Sequence, residues 1–203
     1  GIRPDRVLEP SAGVGAFVEA VLENRPDADI MAFEKDLMTG KILKHLHPGQ
    51  KVRVQGFEKI EKPFMNHFDL AVSNIPFGDV AVFDPDFSGS KDPARLSAAR
   101  TIHNYFFLKS LDAVREGGIV AFITSQGVLD APTNAPIREY MMNHANLVGV
   151  ARLPNNLFTD NAGTEVGSDL IILQKNSGKN GKLYYNEKLF VQTEQTPIGT
   201  SVN

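Results

Sequence analysis

The chain has 203 residues and a formal net charge of -3, with 42% hydrophobic and 22% charged residues, ordinary proportions for one globular domain with a substantial core. It has no cysteine, which excludes disulfides, thiolate zinc sites and cysteine nucleophiles. Apolar runs such as residues 119–123 are too short to cross a bilayer, and the acidic balance argues against a chain that grips a long duplex by itself.

In chain order, strands and helices alternate. Residues 6–9 read as a short buried strand, and 15–24 as a helix with Phe17, Val18, Val21 and Leu22 on one face. Residues 29–34 form a second strand. Asp36 can cap a helix over 37–47, which Pro48-Gly49 stops. A third strand follows at 51–55 and a fourth at 68–73. Residues 79–100 show no clear periodicity and read as a long loop of the functional or mobile kind. Residues 101–115 form an apolar-faced helix ended by Gly117-Gly118. A fifth strand covers 119–124 and a helix 135–144. Two more strands, 147–153 and 169–174, are joined by a Gly- and Asn-rich loop, and 182–185 suggests a small extra strand. The polar end, 192–203, reads as a linker or frayed tail, leaving one domain over 1–191. The chain starts at Gly1 without methionine or signal peptide, so a piece of a longer cytoplasmic protein is expected.

Repeated strand–helix units imply an α/β fold, a mostly parallel sheet with helices on both faces. Ligands then sit at the carboxyl ends of the strands, near the point where strand order reverses. Glu9-Pro10-Ser11-Ala12-Gly13-Val14-Gly15 falls at such an end. Its small residues let backbone approach a ligand, and the helix beginning near Gly15 points free amides the same way. Glu34 closes the second strand, where an acid suits ribose hydroxyls. A dinucleotide fingerprint wants a third glycine where Val18 stands, and Glu9 would repel a pyrophosphate. An ammonium and a sulfonium tolerate that acid better.

Asn74-Ile75-Pro76-Phe77, behind Asp69-Leu70-Ala71-Val72-Ser73, ends the fourth strand. Together these motifs resemble the S-adenosylmethionine-dependent amino-methyltransferases, and most closely the branch acting on adenine N6 in DNA. In that family an Asp, Asn or Ser is followed by Pro-Pro and an aromatic residue. The resemblance implies that Asn74 and the Ile75 carbonyl accept the amine protons, while Pro76 completes the turn and Phe77 stacks on the base. It also places Phe57 against the cofactor's adenine, with Glu58 beside it. Pro10, Ser11, Ala12, Gly13, Gly15, Phe17 and Lys35 complete the expected cofactor-binding set with Glu9, Glu34 and Asn74. Ile75 departs from the pattern, since the family has proline there. The lost ring is expected to loosen the turn and to add an amide in need of a partner.

The stretch from Val148 to Phe158, with Gly163-Thr164 and residues 169–175, is similar to the terminal hairpin of type I modification subunits. The Asn74-Ile75-Pro76-Phe77-Gly78 variant is similar to large methylase–helicase proteins of mobile elements. The resemblance implies a Rossmann-like class I methyltransferase, a seven-stranded sheet with an antiparallel terminal hairpin. It implies S-adenosylmethionine as cofactor, flipped-out adenine in DNA as target, and recognition or helicase regions elsewhere in a parent chain. The family's amino-terminal segment that closes over the cofactor is expected to be missing or reduced to residues 1–5. Phe83, Phe87, Lys91, Arg95 and Arg100 could hold an opened strand. His103 is not expected to act as a base, and the scattered histidines suggest no metal site. Two other readings stay open: an acceptor amine on ribosomal RNA guanine or a protein glutamine, and a non-catalytic module of a restriction or anti-restriction protein.

Overall fold

Short apolar runs set the frame. β1 (Arg6–Glu9), β2 (Asp29–Phe33), β3 (Lys51–Arg53), β4 (Phe68–Asn74) and β5 (Val114–Ser125) lie parallel, while β6 (Ala145–Leu153) and β7 (Ser168–Lys175) form an antiparallel pair with β7 against β5. The result is a seven-stranded sheet in the order β3-β2-β1-β4-β5-β7-β6. This is the computed structural model of the chain, and it describes residues 2–154, 167–196 and 199–202. The remainder of the β6–β7 connection expected from the resemblance, residues 155–166, lies outside the described residues.

Each central strand is buried on both faces. Val7 joins the cluster of Ile30, Ala32 and Leu70, covered by Val18 of α1 (Ala16–Asn24) and Leu43 of α2 (Leu37–Leu46). Leu8 joins the opposite cluster, with Phe33, Ala71 and Phe122 beneath α5 (Ile102–Ala113) and α7 (Ala135–His144). That is why these strands read as unbroken apolar runs. Each fully buried Leu or Phe of this kind contributes about 1.5–3 kcal/mol. Asp36 caps α2 as expected, its carboxylate accepting from the Thr39 amide at 2.8 Å. No described helix is long and apolar enough to cross a membrane.

The stretch 79–100 is not a featureless loop. It carries α3 (Pro85–Ser88) and α4 (Pro93–Ala98), each begun by an Asp-Pro pair. Asp84 accepts from the Asp86 amide at 2.9 Å and Asp92 from the Ala94 amide at 2.8 Å. The fixed φ of proline at a first helical position does the rest. Phe87 is fully buried, with the Arg95 guanidinium 4.0 Å from its ring centroid and the Tyr105 ring at 4.8 Å. Arg95 also holds Asp112 through two bonds of 3.1 and 2.9 Å. Neither side chain is free to hold a nucleic acid strand; Phe83, Lys91 and Arg100 remain exposed.

Residues 182–185 do not form a strand. Residues 182–184 lead into α8 (Tyr185–Val191), which follows α6 (Gly127–Asp130), α7 and the β6–β7 pair along the chain. Glu187 of α8 is buried, pairs with Lys179, and accepts from the Leu147 amide at 3.1 Å and the Tyr184 amide at 2.8 Å. The polar end also carries structure: β8 (Thr193–Thr196) and β9 (Gly199–Val202) pair antiparallel.

Candidate active site

Strand order reverses between β1 and β4, and the expected motifs meet at their carboxyl ends. Past β1 the chain turns through Gly13 at φ 54° and Gly15 at φ 102°. Gly15 is required twice over, because a Cβ there would stand 2.7 Å from both His47 Nε2 and Leu43 Cδ1. The turn is tied to β2 by the Ala12 amide, which donates to the Phe33 carbonyl at 2.8 Å. Glu34 completes the tie. One of its oxygens accepts from the Gly13 amide at 2.9 Å and the other from the Asp36 amide at 2.7 Å. Each oxygen keeps a lone pair for a further donor.

Glu9 is 1% exposed, and only one of its oxygens has a partner, the Ser11 amide at 3.1 Å. The other, Oε2, is buried without a hydrogen bond, as is the nearby Ser73 hydroxyl. Burial pushes the Glu9 carboxyl up to about 8, aided by the charge of Glu34 and opposed by the Ser11 amide and by the Ser73 hydroxyl, which lies close by without meeting hydrogen-bond geometry. At neutral pH without a ligand the group is therefore mostly a neutral acid.

Beside this turn lies a cavity of about 660 Å³. Pro10, Ser11, Glu34, Lys35, Phe57 and Glu58, all expected at a cofactor site, line it together with Pro76. Ala12, Gly13 and Gly15 shape the turn behind it, and half-buried Phe17 on α1 is not on its wall. Phe57 reaches the cavity from within the core. It is 2% exposed and packs against Phe33 at 5.6 Å and Phe106 at 5.4 Å between centroids. It forms part of the packed floor of the cavity. The sequence reading missed the wall made by residues 80–83 with Ile102 and Phe106.

At the tip of β4, Asn74 is exposed and Phe77 is 47% exposed. Ile75 answers its own departure from the pattern. Its amide donates to the Ile123 carbonyl at 3.0 Å, extending the ladder to β5, and its side chain is buried in the core. The turn is anchored by a bond that proline could not make, so the expected loosening is offset. His103 is buried, its Nδ1 has no partner, and burial lowers its pKa against the opposing charge of Asp79. Among the described residues no cluster of His, Asp or Glu could hold a metal ion.

The sheet order with its antiparallel β7, and a glycine turn beside a strand-tip Asn-x-Pro-Phe, define a class I methyltransferase fold. A Listeria monocytogenes protein assigned to the class I S-adenosylmethionine-dependent methyltransferases superposes with TM-score 0.67 at 18% identity, over 84% of this chain and 53% of its own. The M protein of the type I restriction enzyme EcoKI also gives TM-score 0.67, at 16% identity over 88% of this chain and 41% of its own. The model of the N-6 DNA methylase family matches residues 42–197, and the chain belongs to that family. It is similar to the type II methyltransferase M.XamI of Xanthomonas campestris pv. amaranthicola, 26% identical over 73% of this chain and 30% of the relative. It is also similar to M.AccI of Acinetobacter calcoaceticus, 23% identical over 89% and 34%. The chain thus spans about a third of the length of these curated relatives.

Proposed function

We propose that this domain transfers a methyl group from S-adenosylmethionine to the exocyclic N6 amine of adenine in DNA. The observation that carries the reading is the placement of Asn74-Ile75-Pro76-Phe77 at the tip of β4, beside a cavity walled by Pro76 and Glu34. The donor set fits the cofactor. The unpartnered Oε2 of Glu9 suits an ammonium, the free lone pairs of Glu34 suit ribose hydroxyls, and Glu58 at the cavity wall suits a purine amine. The bound cofactor supplies an electrophilic methyl group on a sulfonium.

The chain's residues then orient the acceptor. An aromatic amine delocalises its lone pair into the ring, so it attacks poorly when planar. Asn74 Oδ1 and the Ile75 carbonyl accept hydrogen bonds from its two N–H groups and favour the pyramidal form with the lone pair in line, a positioning effect. Phe77 covers the base's face. No base is needed before attack, because the amine becomes acidic only as the new bond forms. Asn74 is exposed, so the proton can pass along its hydrogen bond to water. A duplex adenine reaches this tip only when flipped from the stack. With a net charge of -3, the grip on DNA falls to other parts of a parent chain, such as recognition or helicase regions, in the cytoplasm.

The test is calorimetric titration with S-adenosylmethionine, S-adenosylhomocysteine and NAD. Saturable binding of the first two and none of NAD is expected; binding of NAD, or of none of the three, would overturn the cofactor reading.

A further inference from the structure

Beyond the Asn74-Ile75-Pro76-Phe77 turn stands an aromatic ring with no partner in the protein core. Phe83 is 80% exposed, the most exposed large hydrophobic side chain among the described residues. Yet the backbone on either side of it is fixed. The Val82 amide donates to the Ala99 carbonyl at 2.8 Å. Asp84, 2% exposed, accepts from the Tyr105 hydroxyl at 2.6 Å and from Lys109 Nζ at 2.8 Å, while its other contact caps α3. A buried ion pair reaching into α5 therefore determines where the exposed ring sits. Val80, 56% exposed, lines the same cavity as Phe83, so the ring belongs to a concave apolar wall and is not a single scattered side chain.

Its location chooses the ligand. Phe83 lines the cavity together with Glu34, Gly56, Glu58 and Val80. Phe77 is absent from that lining although its neighbour Pro76 is present. Of the two exposed rings, Phe83 lines the cavity and Phe77 does not. Phe57, the aromatic residue at the expected adenine position, is 2% exposed and packed against Phe33 and Phe106, so it offers little open surface to a purine. The cavity needs another flat apolar surface if it is to hold a purine, and Phe83 is the exposed aromatic ring on its wall.

We propose that Phe83 is a cofactor-binding residue whose ring covers the adenine of the adenosyl group, leaving Phe77 for the target base. The proposal rests on the reading of S-adenosylmethionine as the cofactor. Covering the purine buries apolar surface on both partners and adds ring-on-ring attraction. It also makes the segment between β4 and α3 part of the cofactor compartment, not of the strand-holding surface that its composition suggests.

The chain contains no tryptophan, so Phe83→Trp supplies a sole tryptophan that can be excited selectively over the tyrosines. S-adenosylhomocysteine is expected to change its emission saturably. Methionine, which lacks the adenosyl group, and an adenine-containing oligonucleotide without cofactor are expected to leave it unchanged. In calorimetry, Phe83→Ala weakens S-adenosylhomocysteine binding about five- to 150-fold, the range typical of losing one base–aromatic stack. The melting temperature stays the same, and Phe83→Tyr retains affinity. An emission change that follows the oligonucleotide and not S-adenosylhomocysteine would overturn the proposal, as would unchanged affinity in Phe83→Ala. Absence of binding by the unsubstituted protein would instead remove the cofactor reading, and this proposal with it.

Discussion

Glu9 makes cofactor binding depend on pH in a way that can be worked through. The carboxyl is buried at the base of the glycine turn, with one oxygen unpartnered and its pKa pushed up to about 8. Its ionised fraction is then roughly one in a hundred at pH 6 and one half at pH 8. An ammonium ligand needs the carboxylate, and its own titration takes back part of the gain, so affinity for S-adenosylmethionine should rise about twentyfold between those two pH values. The ligand's own α-amino group titrates at roughly 7.7–8.0, so affinity falls again in more alkaline solution and the profile is a bell. Glu9→Gln should lack the rising limb. The same group affects folding. Its value is raised from 4.5 to about 8, so the ligand-free folded chain binds more protons than the unfolded chain across that window. Stability is full below pH 4.5 and declines as pH rises towards 8. At pH 7 the loss is on the order of 3 kcal/mol. Glu9→Gln escapes it, and should melt higher than the unsubstituted protein at pH 8 while binding cofactor less well. Calorimetric titrations from pH 6 to 9 and thermal melts over the same range read both effects. A flat affinity between pH 6 and 8, or a rising limb that survives in Glu9→Gln, would refute the reasoning.

Three further substitutions probe the scaffold of the site. Gly15→Ala forces a Cβ to 2.7 Å from His47 and Leu43 at φ 102°, and should destabilise the fold by about 1–3 kcal/mol in urea titration; a neutral effect would mean that α2 does not press on the turn. Glu34→Ala removes the acceptor of two backbone amides as well as the ribose grip, so it should lower both stability, by about 1–2 kcal/mol, and cofactor affinity; loss of neither would mean the acid is idle. Ile75→Pro installs the residue usual in the family, yet here it breaks the bond to the Ile123 carbonyl and removes a buried side chain. It should destabilise by about 2–4 kcal/mol; an unchanged melting temperature would show that the turn does not depend on that bond.

Much of the fold was legible because its signals are local. β1, β4 and β5 announce themselves as apolar runs, and α7 begins and ends where its pattern does. α3 and α4 were missed because they span 4 and 6 residues, too short to show a period. Their Asp84-Pro85 and Asp92-Pro93 starts were the available signal. α8 was hidden for a different reason. Tyr184 and Tyr185 favour a strand locally, and the helix is held by Glu187 with Lys179 and the Leu147 amide, contacts no window of sequence contains. Phe87 and Arg95 misled in the same way: an aromatic ring and a cation in an irregular stretch suggest a strand-holding surface, and here they stack on each other. At the site, the glycine turn, Glu34 and Asn74 were legible as motifs. The buried state of Glu9, the packed state of Phe57 and the presence of Phe83 on the cavity wall follow only from how distant elements meet.

The central claim is a methyl transfer to adenine N6 governed by Asn74. Its most direct measurement incubates DNA with methyl-labelled S-adenosylmethionine and the protein, then digests the DNA to nucleosides and identifies the labelled one. The account predicts label in N6-methyladenine, and none from Asn74→Ala even though that variant still binds S-adenosylhomocysteine. Full transfer by Asn74→Ala, or label found instead on ribosomal RNA guanine or a protein glutamine, would contradict it.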